Sequence, residues 1–600
     1  MTAPLALRRQ RANSSQRSQS FSRIADVVVD NGVFHLDEAF SYGVPDSLRD
    51  QVFVGSLVKV SFRDGISFGI VWAIREVRPE AVKPVTAVVD SFALSNTMIS
   101  LIDELRDRYA CSRHDLIRFA VTKKKLVSAN TELESYKELG SVSFALLSHH
   151  ELLERQVIKL VKSLDRFTLV ICDTARTLRF LSQAMNEQNL PHVAIDPDAT
   201  SAEQTKMRIH IRDLDKGVVI GLRSAIFQSA KKIHDVIVIN EASSHHYEQK
   251  SPQWNTRDVA LLRQRIEGFS LTFASASPSL ELFRLIDSGH VKIFRLRKAI
   301  VMKKGRTLTP PITHITAIRE GLKKGSVLVS IAEKSYVSSV ICQRCRNLAR
   351  CDCGGKYRLT SEKTLLCHLC SSTEKKFVCR ECQATQFLMV RRGADRIAEE
   401  LGKAFPGTPL QLVNSESAPV SQSVERKIFI STSGVEPHLD EGFAALILLD
   451  GEFLLNAPYL RAEEDLFSRW FSLMQLIKTD APVFVSLPQS HRITQSIISR
   501  DPLRFLRSAL AERDSIGMPP TRRLIRIAGE VRTLSSVRNT ILSELPASIE
   551  VLPVSSDGRL VLKSPHDVAP ALLHSLRVLQ KYRSASKKDL LRIEVDPRDI

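Results

Sequence analysis

Phe167-Thr-Leu-Val-Ile-Cys172, Gly217-Val-Val-Ile-Gly221, Asp235-Val-Ile-Val-Ile239 and Leu271-Thr-Phe-Ala274 decide how this chain folds. Each is a short apolar run with no polar alternation. Strands covered on both faces read this way, and crossover helices cover both faces of a parallel sheet. Stretches 175–188 and 257–266, between those runs, carry helical spacing. Segment 140–300 is therefore expected to be a doubly wound α/β lobe. A strand over 325–330, a helix over 392–405, and the runs Lys427-Ile-Phe-Ile430, Ala444-Ala-Leu-Ile-Leu-Leu449 and Val483-Phe-Val485 predict a second such lobe. It starts at 301–341 and continues over 383–520.

The flanks read differently. Residues 24–93 hold short β-branched and aromatic runs, Ile24–Asp30, Gly55–Phe62 and Ile66–Trp72, bounded by polar or Gly-containing turns. They predict a small β-rich domain. Residues 94–130 switch to helical spacing, with Met98, Leu101, Ile102 and Leu105 on one face, and form a helical, winged-helix-like segment ending in Lys123-Lys124-Lys125. Residues 1–23 carry five arginines and no acid, which predicts a disordered basic arm. Residues 521–600 read as strand, helix, strand, helix, strand, a small α+β domain. The fold class is multidomain α/β.

Between the halves of the second lobe, over 342–382, lie eight of the ten cysteines. They read Cys342-x2-Cys345, Cys351-x-Cys353, Cys367-x2-Cys370 and Cys379-x2-Cys382. Four thiolates hold one zinc tetrahedrally, so the set predicts two closed structural sites, two Zn2+ per chain. The 13 residues between Cys353 and Cys367 favour one site from Cys351, Cys353, Cys367 and Cys370, with the outer pairs closing the other. His368 could replace Cys353. An iron–sulfur cluster, or one site with spare thiols, also fits the spacing. A disulfide framework does not, because no signal peptide or membrane span is evident and the expected compartment is the cytoplasm.

The charge balance is 85 basic against 66 acidic residues, a net +19. A field of that sign attracts polyanions. Aromatic content of 6% argues against a channel dominated by base stacking. A nucleic-acid partner, and no membrane, is the reading.

Several strings resemble a known family, the primosomal replication-restart helicases (PriA, or primosomal protein N′). Gly221-Leu-Arg-Ser-Ala-Ile-Phe227 is close to that family's GxRSAxF, and Asp235-Val-Ile-Val-Ile-Asn-Glu241 occupies its Walker B strand. Tyr247-Glu-Gln-Lys250, Arg257-Asp-Val-Ala260, Ser275-Ala-Ser-Pro-Ser279, Asn456-Ala-Pro-Tyr-Leu-Arg-Ala-Glu463 and Glu512-Arg-Asp-Ser-Ile-Gly-Met-Pro-Pro520 resemble further family segments in the same order. The cysteine insertion falls where the family has one. The resemblance implies two RecA-like lobes and replication restart at stalled forks and D-loops. It also implies partners: branched DNA, primosome and replicative-helicase loading proteins, and single-strand binding protein, at the nucleoid. In the family the β-rich domain grips the 3′ end of a nascent strand, which points to Phe40, Ser41 and Arg63 here, with the 123–125 lysines as further DNA contacts.

The departures carry equal weight. A phosphate cradle needs Gly-rich backbone, a Lys and a Ser or Thr, but the corresponding stretch is Ala145-Leu-Leu-Ser-His-His-Glu-Leu-Leu153. His149 and His150 read as surface residues at a helix start. Walker B chemistry needs paired carboxylates for magnesium, yet Asn240-Glu241-Ala242-Ser243 offers only Glu241. Ser472-Leu-Met-Gln-Leu-Ile-Lys-Thr479 supplies no arginine finger. The family's FDY is Phe40-Ser41-Tyr42 here. The chain therefore resembles an actinobacterial-type member with degenerate motifs, a pseudo-helicase that is not an enzyme, in which Glu241→Gln would leave fork binding and restart function unaltered. Two other readings fit: an active ATP-dependent 3′–5′ helicase with an unrecognised nucleotide site, and a zinc-ribbon DNA-binding regulator.

Overall fold

The structure, a computed structural model, describes residues 19–63, 65–121, 139–296, 305–332, 339–345, 347, 349–351, 357–359, 364–367, 372–374, 376–390, 394–413, 426–457, 459–544 and 546–599. Lys123, Lys124, Lys125, Cys353, His368 and Cys370 lie outside them.

The N-terminal domain is a five-stranded antiparallel sheet in the order Ala39–Gly43, Gln19–Val29, Gly65–Val82, Leu57–Phe62, Val85–Asp90. Period-two alternation aims Ala25, Val27 and Val29 into one core with Tyr42, Val58 and Val60. The first strand starts at Gln19, inside the stretch read as an arm. Phe21 explains this: its ring lies where a Cβ on Gly43 would sit, so only glycine admits it. Two helices follow, Asn96–Tyr109 and Arg113–Ala120. Ser95 caps the first, and a Ser112/Asp115 capping box starts the second. Asp103 ties this pair to the sheet, accepting from Trp72 Nε1 at 2.9 Å and Arg113 Nε at 2.7 Å.

Lobe 1 is a seven-stranded, all-parallel sheet ordered Lys292–Arg295, Val142–Leu146, Ser270–Ser275, Asp235–Ile239, Thr168–Ile171, Val218–Gly221, His192–Ala194. Its first strand in sequence therefore sits one place from the edge, and the strand ending before Asn240 is central. This is the RecA-like arrangement. Strands His192–Ala194 and Lys292–Arg295 are short and at best half-buried, too weak a pattern to stand out in the sequence.

Lobe 2 is a six-stranded parallel sheet ordered Thr307–Leu308, Val483–Val485, Ala445–Leu448, Val327–Ser330, Ile428–Ser431, Leu410–Val413. Between the strand Val327–Ser330 and the helix Ala394–Ala404 the chain leaves to build the cysteine module. The C-terminal domain is a four-stranded antiparallel sheet ordered Glu550–Val551, Arg559–Ser564, Arg523–Ala528, Arg592–Val595, backed by helices Val531–Glu544 and Ala569–Ala585.

Candidate nucleic-acid interface, interlobe cleft and metal centre

In the N-terminal sheet, Phe40 pairs with Val27 across the strands, and Ser41 pairs with Asp26. Adjacent residues of a strand point to opposite faces, so Phe40 and Ser41 serve different surfaces. Phe40 packs edge-on to Phe62 with centroids 5.3 Å apart, and the Arg63 guanidinium lies 5.6 Å from the Phe62 ring. Arg63 adopts φ of +53°, which turns the chain after the strand and exposes the cation. Ser41 Oγ donates to Asp26 Oδ1 at 2.8 Å and accepts from Arg75 Nη2 at 2.8 Å, while Arg75 Nε reaches Asp26 Oδ2 at 3.1 Å. Phe40 and Arg63 are thus brought together through Phe62. Ser41 joins Asp26 and Arg75 instead, two residues that sequence reasoning missed because strand register alone makes them neighbours.

The loop after Val142–Leu146 is where a phosphate cradle would stand. It lies against lobe 2. The His150 N–H donates to the Met474 carbonyl at 3.0 Å, and its Nδ1 lies 3.3 Å from the Ile477 carbonyl. The His149 ring sits 5.4 Å from that of Phe471. Neither histidine is the surface residue expected from the sequence, and the following helix begins only at Leu153. Burial, with Arg500 nearby, pushes His149 down to about 3 and His150 down to about 4, so both rings are neutral at pH 7. Arg500 donates weakly to the Gly305 carbonyl and Met474 Sδ, each at 3.4 Å, and burial lowers it to about 10.

Apolar packing completes the seam. Leu152, Ala276, Leu280 and Phe283 of lobe 1 share one core with Phe467, Phe471 and Met474 of lobe 2. Re-exposing Leu152, Leu280 and Phe283 would cost on the order of 5–9 kcal/mol, at about 1.5–3 kcal/mol per side chain.

Glu241, in the Walker B position, lines a pocket between the lobes with Ala242, Arg257, Arg461 and Arg598. It is buried, accepts the Ser279 N–H at 2.6 Å, and lies 3.6 Å from Arg257. Burial raises its carboxyl, against the pull of Arg257. Arg257 also meets Asp258 at 3.1 Å and Glu281 at 3.3 Å. From lobe 2, Arg461 pairs with Glu281 and, at 3.2 Å, with Glu464, which takes Arg513 at 2.7 Å. Arg108 of the N-terminal helices reaches Asp258 at 2.7 Å, and Arg598 of the C-terminal domain pairs with Asp465. Burial would raise Glu281, but Arg461 and Arg257 outweigh it and hold that carboxyl down to about 2. One buried charge network therefore joins the N-terminal helices and the two lobes, Glu241 is part of it, and the half-exposed Arg598–Asp465 pair ties the C-terminal domain to lobe 2 beside it.

In the cysteine module, Ser339–Cys342 pairs antiparallel with Phe387–Val390. The Cys342 N–H donates to the Asn347 carbonyl and the Cys379 N–H to the Ala384 carbonyl, both at 2.8 Å, so the two CxxC turns are built alike. Their sulfurs converge: Cys342–Cys382 and Cys345–Cys379 are each 3.5 Å apart, and all four lie within 4.8 Å of one another. Tetrahedral zinc–thiolate bonds of about 2.3 Å imply S···S separations of about 3.8 Å, so this donor set fits zinc. The Cys345 backbone N–H holds the Cys342 thiol down to about 6. Cys351 and Cys367 are buried nearby, with Cys351 Sγ 3.2 Å from Ser372 Oγ.

Two parallel-sheet lobes of RecA-like order, an antiparallel domain ahead of them and an inserted thiol cluster define the class: a multidomain α/β protein of helicase-like fold. Residues 26–122 match the family model of the PriA 3'DNA-binding domain (3'BD). The chain is 25% identical over 660 residues to the probable replication restart protein PriA of Mycobacterium tuberculosis, covering 94% of this chain and 99% of that one. The Mycobacterium leprae protein is 26% identical over 662 residues with the same coverage. The likeness to PriA, read above from short motifs, is thus shown along almost the whole chain. The solved structure of RecG bound to a three-way DNA junction overlaps 70% of this chain and 46% of that one, at 13% identity and a TM-score of 0.34. Among the described residues no helix is long and apolar enough to cross a membrane.

Proposed function

We propose that this chain is a replication restart protein that binds branched DNA and works without a motor. The observation that carries this is the interlobe seam. The loop that would cradle phosphates is hydrogen-bonded to lobe 2 through His150 and Met474, and its apolar neighbours are packed into a shared core. A helicase cycle opens and closes that cleft around nucleotide. Here that loop is packed against lobe 2, Glu241 accepts the Ser279 N–H and lies 3.6 Å from Arg257, and Asn240 and Ala242 flank it in place of a second Walker B carboxylate.

The DNA reading is supported by the match of residues 26–122, by the Phe40–Phe62–Arg63 surface and by the +19 charge. In this reading the thiol cluster holds structural zinc, and its module is a docking surface for primosome and helicase-loading proteins. Single-strand binding protein is a further partner, and the site of action is the cytoplasmic nucleoid. The test is fork binding and ATPase assayed together on the purified chain. Selective binding of three-way forks over linear duplex with no DNA-stimulated ATPase is expected. DNA-stimulated ATP hydrolysis with unwinding would replace this reading by the active-helicase one, and equal affinity for forks and linear duplex would favour a plain DNA-binding regulator.

A further inference from the structure

We infer that the seam between the N-terminal domain and lobe 1 is a binding site for a phosphate group, built by Arg208, Arg212 and Ser229. The two arginines lie four residues apart on the helix Ser201–Arg212, so they share one of its faces. Both line a cavity with Ser229 and Gln228 of lobe 1 and Asp90 and Val121 of the N-terminal domain. The cavity is a pocket that opens to solvent, so an anion can reach both guanidiniums from outside.

The donors outnumber their acceptors. The Arg212 side chain is 6% exposed. Its Nη1 reaches Asp90 Oδ2 at 3.3 Å and the Phe92 carbonyl at 2.8 Å. Its Nε and Nη2 are enclosed with no hydrogen-bond partner, and so is Ser229 Oγ. Each such orphan costs about 1–3 kcal/mol, so an unexplained trio calls for a reason. Arg208 reaches only neutral acceptors, the carbonyls of Ala120 at 3.2 Å and Phe119 at 3.3 Å. Burial lowers its pKa with no carboxylate to oppose it. Gln228 Nε2 is already taken by the Ser229 carbonyl. Two guanidiniums thus face one carboxylate, Asp90, which also accepts the Phe92 N–H at 3.0 Å. One positive charge and three unpaired donors remain. Guanidinium forks match tetrahedral oxyanions in both charge and geometry.

The oxyanion has two sources, a backbone phosphate of bound DNA or a free phosphate. Only the DNA source rests on the fork-binding reading. Ser229→Asp places a carboxylate beside Arg212, which closes the site to anions while giving the orphan donors a partner. Arg208→Gln keeps the Arg212–Asp90 pair and serves where the first variant fails to fold. Wild type and variants are melted in inorganic phosphate and in chloride at equal ionic strength, and forked-DNA affinity is measured across a salt series. Phosphate raising the wild-type melting temperature but not that of the variants supports the site. A loss of about 0.7–0.9 from the log-affinity against log-salt slope in the variants assigns it to DNA, as one released phosphate contact. An unchanged slope with the phosphate effect intact assigns it to free phosphate. Phosphate-insensitive melting together with an unchanged slope in both variants overturns it. Absence of fork binding in wild type would refute the functional reading, and the melting arm would still test the site.

Discussion

The His150 N–H lies 3.0 Å from the Met474 carbonyl, a hydrogen bond that crosses from lobe 1 to lobe 2 where a motor would bind phosphates. In the motorless reading proposed above, the cleft between the lobes serves as an interface. Its consequences can be measured.

Acid should loosen the seam early. His149 and His150 titrate at about 3 and 4 in the folded chain, below the ordinary histidine value near 6.5. Between those values the unfolded chain binds more protons, so stability falls as pH drops from about 6.5 toward 4. Glu281, held down to about 2 by Arg461 and Arg257, adds a further loss as pH falls below the ordinary glutamate value. Melting temperature against pH should therefore decline through the histidine window. His149→Phe should flatten that decline; an identical profile would mean the ring is not buried neutral.

Breaking the buried charge network should cost more from the arginine side. Arg461→Ala removes the interlobe partner of Glu281 and leaves Glu464 to Arg513 alone, and breaking a buried pair typically costs about 3–5 kcal/mol. Glu241→Gln keeps the shape and an acceptor for the Ser279 N–H, while Arg257 retains Asp258 and Glu281. A loss of about 1.5–3 kcal/mol is expected there, the range for a hydrogen bond to a charged group. The cost falls on stability, while fork binding is expected to be unaltered. Denaturant unfolding measures both.

Leu152→Ala should destabilise by about 2–5 kcal/mol, the usual range for a buried leucine, and should raise protease cleavage between the lobes. A surface-like cost below about 0.5 kcal/mol would show that the lobes separate freely.

Metal content should be two zinc ions per chain. Cys379→Ser removes one of four converging sulfurs and should release the outer ion. Cys351→Ser should leave that ion in place. Elemental analysis reads both, and iron with visible absorbance would replace zinc by a cluster.

Arg63→Ala should weaken fork binding and reduce its salt dependence by about one phosphate contact. Arg75→Ala should act differently, because Arg75 fixes Ser41 and Asp26 to each other. It is expected to blunt discrimination between forks with and without a free 3′ end, measured by competition between the two.

Much of the scaffold was readable in advance. Strands such as Asp235–Ile239 announce themselves because burial on both faces demands continuous apolar sequence. The outer thiol site was also legible, since CxxC turns impose local geometry that any fold must accommodate. Short or half-exposed strands, His192–Ala194 among them, left too weak a pattern.

What the sequence determined alone was the list of elements, the thiol donors and the absence of a phosphate loop. These are local properties, set by side-chain chemistry and period. Only the tertiary structure decided that His149 and His150 seal an interface, that Glu241 is held by Arg257, that Ser41 answers to Asp26 and Arg75, and that Arg212 shares a cavity with Ser229. Those partners sit on different elements, from neighbouring strands (Asp26, Ser41) to opposite lobes (His149, Phe471). Strand register and lobe packing select them, because a buried charge or polar group must find its partner wherever the fold brings one.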